Sequence, residues 1–230
     1  MRTPLRVAVA QPLVRSHDVA GNAERHADVV RAAGARVVVF PEMSLTGYEL
    51  TAAPLDPADP RLATLRAACA DTGTLALAGA PVAGPHIGVL AVDAEGVRVA
   101  YRKMFVGGAE PRHVRPGREP AVLEVDGWRL GLAVCRDTGV PEHAAATVAR
   151  GADAYLAGVL ESARDAAVPA ERARRIAAAH GVWVAVASFA GSTGGGYADA
   201  AGGSGIWSPA GVAVAHAGTG VGELAGASLR

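Results

Sequence analysis

Apolar residues recur along the chain with two periods, and the switches between them outline its elements. Leu5 to Ala10 is an apolar run of strand length, closed by Gln11-Pro12. From Val19 the spacing changes: Val19, Ala23, Ala27 and Val30 recur at helical intervals with charged residues between them, so 19–33 reads as a helix. Asp18 suits its N-cap and Gly34 its stop. Arg36 to Phe40 then carries VVVF, a continuous apolar strand of the kind buried on both faces in parallel sheets. Strand, helix and strand in that order open a βαβ unit.

The same reading continues along the chain. Arg61 to Asp71 is expected to be a helix, and Leu75 to Ala80, Ile87 to Val92 and Val97 to Tyr101 three strands. Ala121 to Val125 and Trp128 to Val134 flank Asp126-Gly127 as a hairpin. A helix over Pro141 to Arg150, a strand over Ala154 to Val159, a helix over Val168 to Ala179 and the strand VWVAVASF follow. Ile206 to Ser208 and Val212 to Ala215 straddle a Pro-Ala-Gly turn, and Gly222 to Leu229 can add an edge strand. No repeat or linker interrupts the series. One α/β domain over 1–230 is expected, with mixed rather than purely parallel sheets.

Composition sharpens this picture at a few points. Half of the 230 residues are hydrophobic and 19% are charged, a globular balance. Aromatics make up only 4%, so the core must be built from Val, Leu, Ile and Ala. Lys+Arg and Asp+Glu are equal at 22 each, which argues against nucleic acid or an anionic membrane as partner. The first residues run straight into strand-like alternation with no secretory pattern, and no apolar run approaches the roughly 20 residues of a membrane span. Cys69 and Cys135 are too few for a disulfide framework, so a cytoplasmic setting is expected. Lys103 is the only lysine among those 22 basic residues. A position that keeps Lys against such a bias can need a compact ammonium with a movable pKa, although one survivor by chance is the other reading.

Chemistry collects at the strand ends. The run Leu130 to Val134 delivers Cys135, followed by Arg136, Asp137, Gly139 and Pro141, where a strand gives way to a helix. Ligands of open α/β sheets bind at such ends, and a helix N-terminus there would favour the thiolate. Glu42 follows VVVF in the same way, and Lys103 follows Val97 to Tyr101. Together they would make a nucleophile, a base and a cation for an oxyanion, with N–H groups after Cys135 as further donors. A strand-end glutamate can equally cap a turn. Glu110 and His113 lie in an open loop over 106–117, where Glu110 can also simply pair with Arg112 or Arg115. His143, eight positions beyond Cys135, is the rival base, on a helix where exposure is the commoner fate. Cys69 reads as a packing residue. The seven histidines lack metal-ligand spacing, and Gly191 to Gly205 lacks the Gly-Lys-Ser/Thr ending of a phosphate loop, so neither metal nor nucleotide cofactor is expected.

The combination of FPEMSLTGY (40–48), YRKMF (101–105) and GLAVCRDTGVPE (131–142) resembles the carbon–nitrogen hydrolase, or nitrilase, superfamily. Further support comes from VAVAQP at the start, GAD at 151–153, RARRIAAAHGVWVAVAS and GSGIWSPAG at 203–211. The resemblance implies a four-layer α-β-β-α sandwich of two mixed sheets and a Glu-Lys-Cys triad of Glu42, Lys103 and Cys135. Glu110, six positions before Pro116-Gly117, matches a second glutamate often found in the family. Tyr48, Arg136, Asp137 and Gly139 are the expected substrate contacts, and a homodimer or higher homo-oligomer is implied. Arg136 stands where amidase-like members have an aromatic residue, and Gly139-Val140 where Arg-Phe is common. The Trp-Glu of true nitrile hydrolysers is absent after the cysteine. The implied activity is therefore hydrolysis of a small linear amide or N-carbamoyl compound through a thioester. Transfer of the acyl group to an amine, and a silent binding protein on the same fold, are the alternatives.

Overall fold

In a computed structural model, which describes residues 2–230, the chain forms two six-stranded sheets packed face to face, with two helices on each outer face. The first half contributes β1 (Leu5–Ala10), α1 (Val19–Ala33), β2 (Val37–Val39), α2 (Ala63–Thr72), β3 (Leu75–Val82), β4 (His86–Asp93) and β5 (Gly96–Arg102). The second supplies β6 (Ala121–Val125), β7 (Trp128–Val134), α3 (Pro141–Ala149), β8 (Ala154–Val159), α4 (Ala167–His180) and β9 (Trp183–Ser188). Five short strands close the chain: β10 (Ala190–Gly191), β11 (Ala200–Ala201), β12 (Gly205–Trp207), β13 (Ala213–His216) and β14 (Leu224–Leu229).

The sheets have the orders β14-β1-β2-β3-β4-β5 and β13-β12-β9-β8-β7-β6. In each, three central strands run parallel (β1, β2, β3 and β7, β8, β9) and the outer ones antiparallel. This is the mixed α-β-β-α sandwich expected from the motifs.

Strand alternation explains the layering. Val7, Val9, Val37, Val39, Leu75 and Leu77 meet Leu130, Leu132, Val134 and Leu156 between the sheets. The intervening Ala8, Ala10, Val38, Ala76 and Ala78 face α1 and α2, and Ala133, Ala157, Val184 and Val186 face α3 and α4. Branched side chains thus fill the sheet-to-sheet gap, and alanines let the helices lie close to the strands. The scarcity of aromatics follows from that arrangement. The Asp18 side chain accepts from the Gly21 N–H, and Gly34 is left-handed, as the caps of α1 require.

Some boundaries differ from the periodic reading. The expected strand 36–40 is trimmed to β2, because the chain must turn at Pro41. A 3-10 turn, Pro60–Leu62, precedes α2. The glycine-rich segment contains β10 and β11, which the pattern did not signal, and the expected final strand is β14, at the edge of the first sheet beside β1. Among the described residues no helix is long and apolar enough to cross a membrane.

Candidate active site

Three residues from strand ends meet at one edge of the sandwich. Glu42 follows β2, Lys103 follows β5 and Cys135 follows β7, and all three line a cleft of about 330 Å³. The topology dictates this: β5 is antiparallel to β4, itself antiparallel to β3, so β5 ends at the same edge as β2. The second sheet presents its parallel strand ends there too, because the Gly158 backbone near the end of β8 packs directly on Phe40 and Glu42.

The ammonium of Lys103 is 1% exposed and donates to Glu42 Oε1 at 2.7 Å and to Glu110 Oε1 at 2.6 Å. Glu110 is anchored in turn by the Tyr48 hydroxyl (2.8 Å to Oε1) and the Gly107 N–H (2.9 Å to Oε2). Its expected alternative partners, Arg112 and Arg115, play no part. Burial raises the Glu42 carboxyl to about 7 against the opposing pull of Lys103, with Glu110 adding to the rise. Burial by itself would lower the Lys103 ammonium, but the carboxylates of Glu42 and Glu110 outweigh it and raise its pKa. Lys103 is therefore charged at neutral pH.

Cys135 is half-buried and adopts φ +40°, a left-handed conformation that is costly for a side chain other than glycine. Its thiol faces the Leu160 carbonyl at 3.3 Å. A single 3-10 turn, Cys135–Gly139, separates it from α3, so the expected lowering of its pKa by an α-helix does not arise. Burial instead pushes the thiol up, the Glu42 carboxylate adds to this, and Lys103 only partly opposes them. The resting sulfur is a thiol.

The segment carrying Glu42 is held from both sides. His26 stacks on Phe40 at 4.0 Å and its Nδ1 donates to the Asn22 carbonyl, leaving Nε2 to accept from the Ser44 hydroxyl at 2.8 Å. Burial lowers His26 to about 4, so this contact is with a neutral ring. Met43, next to Glu42, is also left-handed at φ +56°.

Two expected substrate contacts lie elsewhere. Asp137 is 0% exposed and does not line the cleft. Its carboxylate accepts from the N–H groups of Val134 and Phe105, both at 2.9 Å, and from the Tyr101 hydroxyl at 2.8 Å. It ties the cysteine turn to the segment after Lys103, so it positions the site rather than touching a ligand. Gly139 lies behind the lining: a Cβ there would stand 3.1 Å from the guanidinium carbon of Arg172. Tyr48 and Arg136 do line the cleft. His143, expected to be exposed, is 1% exposed, and its two nitrogens are engaged at 2.8 Å by Tyr101 and Tyr155. It is not available to Cys135. Cys69 packs in the core between α2 and the first sheet.

Sequence reasoning missed Glu161, Arg172 and Tyr197, which also border the cleft. Glu161 and Arg172 pair at 2.9 Å. Glu161 lies just past the end of β8, so the strand-end rule that singled out Glu42 and Cys135 could have found it. Arg172 lay hidden among the charges of a helix face. A larger hollow of about 600 Å³ between Trp128 and Trp183, at the start of β7 and β9, holds no comparable set of nucleophile, base and cation. Among the described residues, no three or more His, Cys, Asp and Glu are grouped to hold a metal ion.

The family model for carbon-nitrogen hydrolases matches residues 6–229. The chain belongs to that family. It is similar over 98% of its length to the amidase from Nesterenkonia sp. AN1, of the nitrilase superfamily, at 26% identity and a TM-score of 0.88, covering 93% of that chain. Solved forms of that amidase show acrylamide added to its active-site cysteine, the acetamide moiety of fluoroacetamide added there, and a complex with butyramide. Among curated proteins, a hydrolase from Pseudomonas protegens is 34% identical over 66% of this chain and 58% of its own length. A glutamine-dependent NAD(+) synthetase from Xylella fastidiosa is 34% identical over 76% of this chain and 36% of its own. The chain thus spans less than two thirds of the length of these two relatives.

Proposed function

We propose that this carbon–nitrogen hydrolase is an amidase-type enzyme that cleaves small linear amides or N-carbamoyl compounds through a thioester on Cys135. The observation that carries this reading is Lys103 held between Glu42 and Glu110 in the cleft that Cys135 borders. Glu42, raised to about 7, is matched to proton transfer at neutral pH. Since the resting thiol is protonated, Glu42 takes its proton as sulfur bonds to the amide carbon. The charge that develops on the carbonyl oxygen faces the Lys103 ammonium and the first N–H groups of the 3-10 turn, which have no partner within that turn.

Collapse breaks the C–N bond, and Glu42 returns the proton to the leaving nitrogen. Water then attacks the thioester, giving its proton to Glu42. The acid leaves and the thiol is restored. Glu110 fixes the direction of Lys103, and Tyr48 fixes Glu110. The modified cysteine of the Nesterenkonia amidase supports assigning the nucleophile to Cys135.

The test is ammonia release from acetamide, butyramide, glutamine and N-carbamoyl compounds by the full chain, with Cys135→Ala as control. Turnover that disappears in the control is expected. Undiminished turnover in Cys135→Ala overturns the mechanism.

A further inference from the structure

Six charged side chains border the cleft, and five of them have partners. Lys103 is shared by Glu42 and Glu110, and Arg172 is paired with Glu161. Arg136 makes no salt bridge among the described residues, although it borders the cleft directly after the cysteine. The inner cluster, one ammonium between two carboxylates, is net negative when both are ionised, and the Arg136 end is positive. An anion is repelled at the depth of Cys135 and attracted at Arg136.

The exposed Arg136 side chain lies along Gly107: a Cβ added there would stand 2.7 Å from its Nη1 and 2.9 Å from its Cδ, so a larger residue at 107 would shift the arginine. The Gly107 N–H meanwhile holds Glu110. Gly107 thus lies between the inner cluster and the arginine outside it.

We propose that Arg136 receives a carboxylate of the substrate, so that the compound cleaved is a short amide or ureide with an anionic tail. This deepens the amidase reading and rests on it for the word "cleaved". A planar guanidinium offers a carboxylate two parallel N–H donors. Consecutive Cα atoms are about 3.8 Å apart, so a group bound at Arg136 lies only a short chain away from a carbonyl at Cys135. The carboxylate at the rim and the amide within set the direction of entry.

Two matched pairs test this: succinamate against butyramide, with the charge on the acyl side, and N-carbamoyl-β-alanine against N-propylurea, with it on the amine side. Binding is measured calorimetrically on the full chain carrying Cys135→Ala, and kcat/KM by ammonia release on the chain with Cys135 intact. The anionic member of at least one pair is expected to bind about tenfold more tightly, the effect of one charge-assisted contact at an open site. Arg136→Gln should erase that ratio, Arg136→Lys should keep part of it, and Gly107→Ala should weaken it by displacing the guanidinium.

Equal affinities within both pairs overturn the proposal, as does a preference that survives Arg136→Gln. Selective binding without ammonia release from these four compounds, acetamide or glutamine overturns the amidase reading and leaves the carboxylate receptor standing.

Discussion

The placement of Glu42 depends on two glycines that carry no chemistry of their own. A Cβ on Gly79, in β3, would lie 2.3 Å from the Met43 nitrogen, 2.4 Å from the Pro41 oxygen and 2.8 Å from the Glu42 carbonyl carbon. On Gly158, in β8, it would lie 2.5 Å from the Phe40 oxygen and 3.0 Å from the Glu42 nitrogen. The strand-end segment is thus clasped between the two sheets at backbone contact. Non-bonded atoms sit comfortably at roughly 3.5–4 Å, so Gly79→Ala must push the Glu42 backbone away by about 1 Å. Overpacking of this kind costs about 1–3 kcal/mol. At 230 residues that corresponds to a Tm lower by roughly 2–12 °C.

Activity should suffer more than stability. Lys103 meets Glu42 at 2.7 Å, and a displacement of about 1 Å at a reacting group costs on the order of 100-fold in rate. Gly79→Ala is therefore expected to lose about 100-fold in kcat/KM per folded molecule, with folded protein counted by circular dichroism and turnover by ammonia release. Gly158→Ala should do the same from the other sheet. Gly226→Ala is the control, since its nearest neighbour outside the adjacent residues would be 3.5 Å away. Wild-type rates in both site variants, or an equal loss in Gly226→Ala, would refute the idea that close backbone contact places Glu42.

Two further outcomes follow from the site's charges. On the acid side kcat/KM should rise as pH passes through about 7, because Glu42 must be ionised to accept the thiol proton. A flat profile between pH 5 and 8 would remove Glu42 from that role. The same shift governs stability: the folded carboxyl keeps its proton to higher pH than the ordinary value of 4.5, so Glu42 makes stability fall as pH rises from about 4.5 to about 7. Urea midpoints across that window should decline less steeply in Glu42→Gln. Asp137→Asn should lower Tm by several degrees and reduce kcat together. An amide cannot accept from Val134, Phe105 and Tyr101 with both of its ends, and a buried donor left unpaired costs about 1–3 kcal/mol. A variant with unchanged kcat would mean that Asp137 braces the fold without placing the cysteine turn.

Much of the fold is written locally. Periodicity placed β1, α1, the β6–β7 hairpin and β8 at their observed limits, because a strand or helix that buries one face repeats its apolar residues at its own period. The strand ends also pointed to Glu42 and Cys135, and the chain's only lysine to Lys103. Their meeting was beyond periodicity. It depends on β5 reversing twice from β3 and on the second sheet packing its strand ends against the first, which are contacts between residues far apart in sequence.

Tertiary structure likewise decided the fate of like residues. Asp137 and Glu42 are both carboxylates near strand ends, yet one is consumed by backbone donors and the other borders the cleft. His143 and Arg172 sit on helices whose sequences suggest exposure. One is sealed between two tyrosines and the other bends back over Gly139 to the cleft. Even the sign of the Cys135 shift was out of reach. A helix start argues for a thiolate, whereas desolvation by surroundings drawn from several elements holds the sulfur as a thiol. Sequence spacing reports which side chains can share a face, and only packing reports how much water each of them loses.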